Sequence, residues 1–143
     1  MLRGKKRISI AGIVIAVVAI GFAIYSLAGS IQPTSYSFDD TSLKISTQFG
    51  ESIDYADMTS VQLQSSMPPN LVKIAGANLG NILKGNFESN GTALKVYVDT
   101  SVPPFIYLKT KSELVIFNDQ SAAQTQTLYD ELQQKITPSS AGG

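Results

Sequence analysis

The first feature of the hydrophobic pattern is one long apolar run near the start of the chain. Residues 8–28 read ISIAGIVIAVVAIGFAIYSLA, and no charged residue occurs between Arg7 and Asp39. An α-helix of about 20 residues matches the roughly 30 Å hydrocarbon core of a bilayer, so the run predicts a transmembrane helix. A cleaved secretion signal is the alternative, because Ser26 and Ala28 supply the small residues that precede a cleavage site.

The charges that flank this run predict its orientation. Residues 1–7 contain Arg3, Lys5, Lys6 and Arg7 and no acid. Positive charge collects on the cytoplasmic side of membrane spans, which predicts a cytoplasmic flank at the N-terminus and an extracytoplasmic domain after the span. We therefore expect a single-pass protein of the cell membrane. A cleaved signal would leave the domain on the same side.

Beyond a linker at residues 29–35, apolar and polar residues alternate. From Leu43 through Ile45 to Phe49 the apolar positions recur with a period of two, which is typical of half-buried strands. Asn90-Gly91 is a strong signal for a hairpin turn. The predicted strands cover residues 42–49, 52–55, 58–63, 81–89, 93–99, 105–110 and 114–118.

The last periodic segment has helical spacing. Its apolar face consists of Thr125, Leu128, Tyr129, Leu132 and Ile136. Ser121 and Gln124 form a capping box at the start, and Pro138 ends the helix. Strands followed by one amphipathic helix predict an α+β domain over residues 36–136. The uncharged tail at residues 137–143 is expected to be disordered.

Composition narrows the chemistry that the protein can perform. The chain has 143 residues, 11 cations, 11 acids, and neither His nor Cys. This excludes imidazole bases, thiolate nucleophiles, disulfides and the commonest zinc ligands. Every cation after Arg7 is a lysine, and acids outnumber the lysines there, so the domain lacks the basic face of a nucleic-acid binder. We predict a protein that is not an enzyme, with no catalytic residues, cofactor, metal or nucleic-acid partner.

Three groups of residues that could suggest a site have simpler interpretations. Gly80 and Gly85 have the spacing of a phosphate loop, but Asn86 stands where that motif requires Lys. Together with Gly76, these glycines are expected to serve turns or close backbone approach. The acidic pairs Asp39-Asp40 and Asp54/Asp57 suggest calcium or acid–base chemistry, with solvated carboxylates as the favoured interpretation. A small basic patch, or simply a solvated surface, is suggested by Lys73, Lys84, Lys109 and Lys111.

The residues from Gly50 to Ile136 resemble a bacterial pleckstrin-homology-like domain. The segments that carry the resemblance are IDYADMTSVQL (53–63), GANLGNILKGNF (76–87), LKVYVD (94–99), PPFIYLKTKSELVIFND (103–119) and LYDEL in the helix. The resemblance implies a bent, seven-stranded antiparallel sheet or barrel, capped at one end by the C-terminal helix. It implies no catalytic residues.

Three aromatic residues form the candidate partner surface. If Leu94 and its alternate neighbours face the core, Tyr97 faces outward, and Phe105 and Tyr107 share one face of the next strand. Exposed aromatic clusters are typical of protein interfaces; the alternative is that these rings cover a second layer or the helix seam. The expected function is a membrane-anchored, non-enzymatic module that binds a protein, a second copy of the chain included, through a sheet edge or the groove beside the helix. The alternative function is small-ligand or lipid binding at the membrane surface.

Overall fold

The computed structural model describes residues 33–136. This part of the chain has an α+β fold, mostly sheet with one C-terminal α-helix, as the sequence predicts. Between residues 33 and 136 the structure has no helix of the length and apolarity that crossing a membrane requires. The predicted flank at residues 1–7, span at 8–28, tail at 137–143 and most of the linker lie outside the described residues.

The first three strands form a small antiparallel sheet in sequential order. These strands are β1 (Ser35–Phe38), β2 (Ser42–Ser46) and β3 (Glu51–Asp54). Alternation places Leu43, Ile45 and Ile53 on the buried face of this sheet. A 3₁₀ turn at Tyr55–Asp57 then leads into the second sheet.

The remaining strands form a six-stranded sheet in the order β4-β8-β9-β7-β6-β5. Their bounds are β4 (Met58–Gln64), β5 (Leu71–Leu79), β6 (Ile82–Ser89), β7 (Thr92–Asp99), β8 (Phe105–Thr110) and β9 (Leu114–Phe117). The predicted hairpin at Asn90-Gly91 is confirmed: β6 and β7 pair antiparallel across it, and both turn residues have positive φ.

The expectation of seven antiparallel strands in one sheet is wrong for residues 33–136. The structure there has nine strands in two sheets, and β9 pairs parallel to β7. The chain leaves β7 through residues 100–104, runs along β8, and turns back to place β9 between β8 and β7. Strand β9 therefore pairs antiparallel to β8 on one side and parallel to β7 on the other.

The six-stranded sheet carries a hydrophobic core on each face. Val115 and Phe117 of β9 enter the core beneath the small sheet and the helix, whereas Ile116 enters the core on the opposite face. The connection between β4 and β5 covers that opposite face, where Met67 packs against the core and the Tyr107 hydroxyl donates to the Ser66 carbonyl oxygen at 2.7 Å. Side chains on both faces of the central strands are therefore buried.

The helix α1 (Ala122–Ile136) closes the first core, into which Leu128 and Leu132 are buried. Ser121 caps the helix as predicted, because the Gln124 backbone N–H donates to Ser121 Oγ at 3.1 Å. Gln124 Oε1 accepts from the Ser121 hydroxyl at 3.1 Å, so the side-chain half of the capping box is made to the hydroxyl and not to the backbone.

Candidate functional site

The β5 edge is the most apolar exposed feature of the described residues. Strand β5 ends the six-stranded sheet, and no other strand among residues 33–136 pairs with its outer side. The exposed fractions of Val72 and Ile74 in this strand are 54% and 59%. Lys73 is the only charged residue between Leu71 and Leu79. An edge of this kind presents unpaired backbone groups that can accept another strand.

A β-bulge and two facing glycines shape this edge. The register between β5 and β6 shifts between Lys73 and Ala75, so Ile74 is the extra residue. Gly76 and Gly85 then face each other with φ of 143° and 120°. A Cβ atom on Gly76 would overlap the Lys84 carbonyl oxygen. The expectation of close backbone approach is therefore confirmed for Gly76 and Gly85.

The predicted partner surface of Tyr97, Phe105 and Tyr107 is wrong for the folded chain. Tyr97 is 1% exposed and lies in the core under the small sheet, and Phe105 is 2% exposed in the opposite core. Tyr107 is partly buried against that second core. The prediction assumed that only one face of the sheet is covered, whereas both are, as the alternative interpretation required.

Tyr97 instead belongs to a polar joint between the two sheets. Its hydroxyl lies 2.8 Å from the Phe49 carbonyl oxygen and 2.9 Å from Glu51 Oε2. Lys95 Nζ lies 3.0 Å from Glu51 Oε2 and 3.7 Å from Glu113 Oε2. The joint thus ties β3 to β7 and to the residue before β9.

The joint shifts the proton affinities of its members. Burial raises the pKa of Tyr97, and the charge and hydrogen bond of Glu51 raise it further. Burial also raises the pKa of Glu113, and Glu51 adds to this shift, whereas Lys95 opposes it. Burial alone would lower the pKa of Lys95, but its two carboxylate partners raise it overall. The hydroxyl, the ammonium and the two carboxylates of the joint are paired with one another, so we interpret the joint as a structural contact between the two sheets.

Two concave regions lie near the first core. A cavity of about 180 Å³ is lined by Lys84, which is 3% exposed, and by Asp99 and Asn118. Burial lowers the pKa of the Lys84 ammonium. The groove expected beside the helix is present as a cavity of about 360 Å³ between β1 and α1, with Asp119 and Glu131 in its lining.

The predicted basic patch is not assembled by the fold. Lys84 is buried, and three strands separate β5, which carries Lys73, from β8, which carries Lys109. Within residues 33–136, no group of three or more acidic side chains is placed to hold a metal ion. Phe49, Val72 and Ile74 are the exposed large hydrophobic residues of this region. Sequence reasoning named none of them as a candidate site residue, and it placed Phe49 in a half-buried strand.

The chain matches no protein family model, no curated protein and no solved structure.

Proposed function

We propose that the protein is a single-pass, non-enzymatic membrane protein whose extracytoplasmic domain binds an extended segment of a partner protein along the β5 edge. The observation that carries this proposal is the unpaired outer side of β5 among the described residues, beside exposed Val72 and Ile74. Backbone hydrogen bonds to such an edge provide affinity, and side chains on either side of it provide selectivity.

The features that protect the edge also define the partner. Charged residues and bulges are the usual devices that prevent indiscriminate pairing of edge strands. Here the bulge at Ile74 divides the edge into two regular stretches, residues 71–73 and 75–79, and Lys73 favours a partner with an acidic residue opposite. The partner is therefore an extended segment with apolar side chains and at least one carboxylate.

The other edge of the same sheet is less suited to this role. The outward positions of β4 are polar, since Thr59, Ser60, Gln62 and Gln64 are all exposed there. The Thr59 hydroxyl already donates to the Lys109 carbonyl oxygen at 3.0 Å. This edge therefore supplies the matched control for experiments on β5.

A pleckstrin-homology-like origin of the domain is part of this proposal. The order of strands followed by one C-terminal helix supports it. The parallel β7–β9 pair and the separate small sheet depart from the seven-stranded antiparallel arrangement. The proposed binding edge rests on the geometry of β5 and holds for either origin.

Site-specific photo-crosslinking in native membranes tests the edge. With p-benzoylphenylalanine in place of Val72, we expect an adduct of defined mass that the Ile74→Lys substitution abolishes and the Gln62→Lys substitution retains. Placing the same crosslinker at Gln62 is the control for nonspecific capture. If the position of Val72 gives no adduct above background, to another protein or to a second copy, the proposed function is wrong.

Small-ligand binding is the second candidate function, and the cavity at Lys84 favours it. A buried amine beside Asn118 can hold a small molecule that carries an anionic or carbonyl group. Native mass spectrometry of detergent-extracted protein would then show a bound mass that the Lys84→Met variant lacks. A spectrum of the unliganded protein alone would exclude this function.

A further inference from the structure

The turn that joins β2 to β3 carries an exposed aromatic residue in an unfavourable backbone conformation. The Gly50 N–H donates to the Thr47 carbonyl oxygen at 3.0 Å, and Phe49 has a φ of 66°. This pattern matches a type II turn, whose third position favours Gly or Asn. Phe49 is nevertheless 51% exposed there. Packing within the domain therefore does not explain an aromatic ring at this position.

A second local cost lies in the same turn. The Thr47 hydroxyl is buried without a hydrogen-bond partner among the described residues. Buried polar groups are nearly always paired, and local costs of this kind collect at functional sites. Two such features within three residues indicate that the turn is maintained for a purpose other than stability.

The fold holds the turn rigidly. The buried Tyr97 hydroxyl donates to the Phe49 carbonyl oxygen at 2.8 Å. Gly50 is packed so tightly that a Cβ atom there would overlap the Ile45 carbonyl oxygen. The Phe49 ring is therefore presented on a pre-organised backbone, which lowers the ordering cost of a contact.

The strand register places this turn beside the point where the chain enters the domain. Ser35, the first residue of β1, lies opposite Ser46, the last residue of β2. The turn at residues 47–50 thus projects from the end at which the chain arrives from the predicted span. Residues 29–34 reach at most about 20 Å when extended, so an anchored domain keeps this end close to the bilayer.

The turn itself and the chain that enters the domain are uncharged, although Asp99 and Asp119 line the cavity beside Pro33 and Thr34. Neither residues 29–38 nor the turn at residues 47–50 contain a charged side chain. An uncharged tip with one aromatic ring suits the membrane interface, which admits apolar side chains beside polar backbone and excludes unpaired charge.

We propose that Phe49 inserts into the interfacial layer of the bilayer that holds the anchor and fixes how the domain stands on the membrane. This inference rests on the membrane anchor of the proposed function and is independent of the partner at β5. Val72 pairs with Glu88, and Glu88 pairs with Ala93 of β7. Ala93 lies four residues from Tyr97, which is about 13 Å along the strand. Oriented in this way, the domain keeps Val72 away from the bilayer surface.

Tryptophan fluorescence of the full chain in liposomes tests the inference. The chain has no native Trp, so Phe49→Trp introduces a single reporter, and Val72→Trp is the control of matched exposure. In phosphatidylcholine liposomes that contain brominated lipid, we expect at least about twofold quenching of the Phe49→Trp variant and little quenching of the Val72→Trp variant.

The outcomes separate the inference from the proposals on which it rests. If the protein floats with the liposomes but the Phe49→Trp variant is unquenched, or if both variants are quenched equally, the inference is wrong. A blue-shifted but unquenched Phe49→Trp emission indicates burial against protein and also overturns it. Release of the protein from the liposomes overturns the anchor itself, whereas the crosslinks from β5 report only on the partner.

Discussion

The phenol oxygen of Tyr97 lies 2.8 Å from the carbonyl oxygen of Phe49, so a buried residue of β7 fixes an exposed turn of the other sheet. The same hydroxyl lies 2.9 Å from Glu51 Oε2. One hydroxyl proton thus serves two acceptors at the contact between the sheets. The stability of the domain should therefore depend on this hydroxyl, on the turn that it holds and on the charged residues of the joint.

The first consequence concerns stability. Tyr97→Phe removes the donor to the Phe49 carbonyl oxygen and leaves Glu51 Oε2 with Lys95 alone, which should lower the free energy of unfolding by about 1–2 kcal/mol. Urea unfolding of the full chain in mild detergent, followed by circular dichroism, measures the change. Tyr107→Phe is the control, because its hydroxyl makes one exposed hydrogen bond to the Ser66 carbonyl oxygen, and its loss should cost less. Equal losses in the two variants would contradict the role of the joint.

The second consequence concerns the strained turn. Phe49→Asn should raise the free energy of unfolding by about 1 kcal/mol, because Asn tolerates the left-handed conformation better than Phe does. The same urea titration measures it. Gly50→Ala is the contrasting variant, since its methyl group would overlap the Ile45 carbonyl oxygen and destabilise the fold. If Phe49→Asn is destabilising, the ring contributes to packing and the strain argument is wrong.

The third consequence is a dependence of stability on pH. Because the pKa of Glu113 is raised in the folded state, folding favours its protonated form. Its contribution to stability is therefore complete below the usual glutamate pKa of 4.5 and is lost as the pH rises through the higher folded value. Glu113→Gln keeps a neutral group in place and should flatten the stability profile above that pH.

Unfolding midpoints measured from pH 4 upward, at about one-unit intervals, test this dependence. Asp40→Asn serves as the control, because Asp40 is exposed and lies outside the joint, so its profile should follow that of the unmodified chain. A Glu113→Gln profile that stays parallel to the unmodified one would show that the pKa of Glu113 is not raised in the folded state.

The two errors about aromatic residues both come from reading alternation as burial, but their physical origins differ. Alternation in β7 shows that Tyr97 and Val96 lie on opposite faces, but it does not show whether one face or both are covered. The chain before β4 supplies a second sheet that covers the Tyr97 face, and this long-range packing leaves no local signal. Conversely, Phe49 continues the alternation of β2, although β2 ends at Ser46 and Phe49 lies in the turn.

The candidate binding edge escaped prediction for a local reason. The bulge at Ile74 and the glycine at Gly76 interrupt the period-two pattern of β5, so the sequence does not predict this nine-residue strand. Where the pattern is regular, the prediction holds: strand β8 has the predicted bounds, and α1 begins after the predicted cap. The elements best predicted are those with uninterrupted periodicity, whereas the site lies where periodicity breaks.

The last prediction concerns the side of the membrane on which the domain lies. The chain has no native cysteine, so a single introduced thiol reports its own position without interference. Lys111→Cys places the thiol on an exposed residue of the turn between β8 and β9, whose backbone N–H donates to the Asp57 carbonyl oxygen. We expect an impermeant maleimide to label this variant on intact cells, because the basic flank at residues 1–7 favours the cytoplasmic side. Gly4→Cys is the matched control and should react only after the membrane is permeabilised. Labelling of Gly4→Cys but not Lys111→Cys on intact cells would reverse the topology and remove every extracytoplasmic partner from consideration.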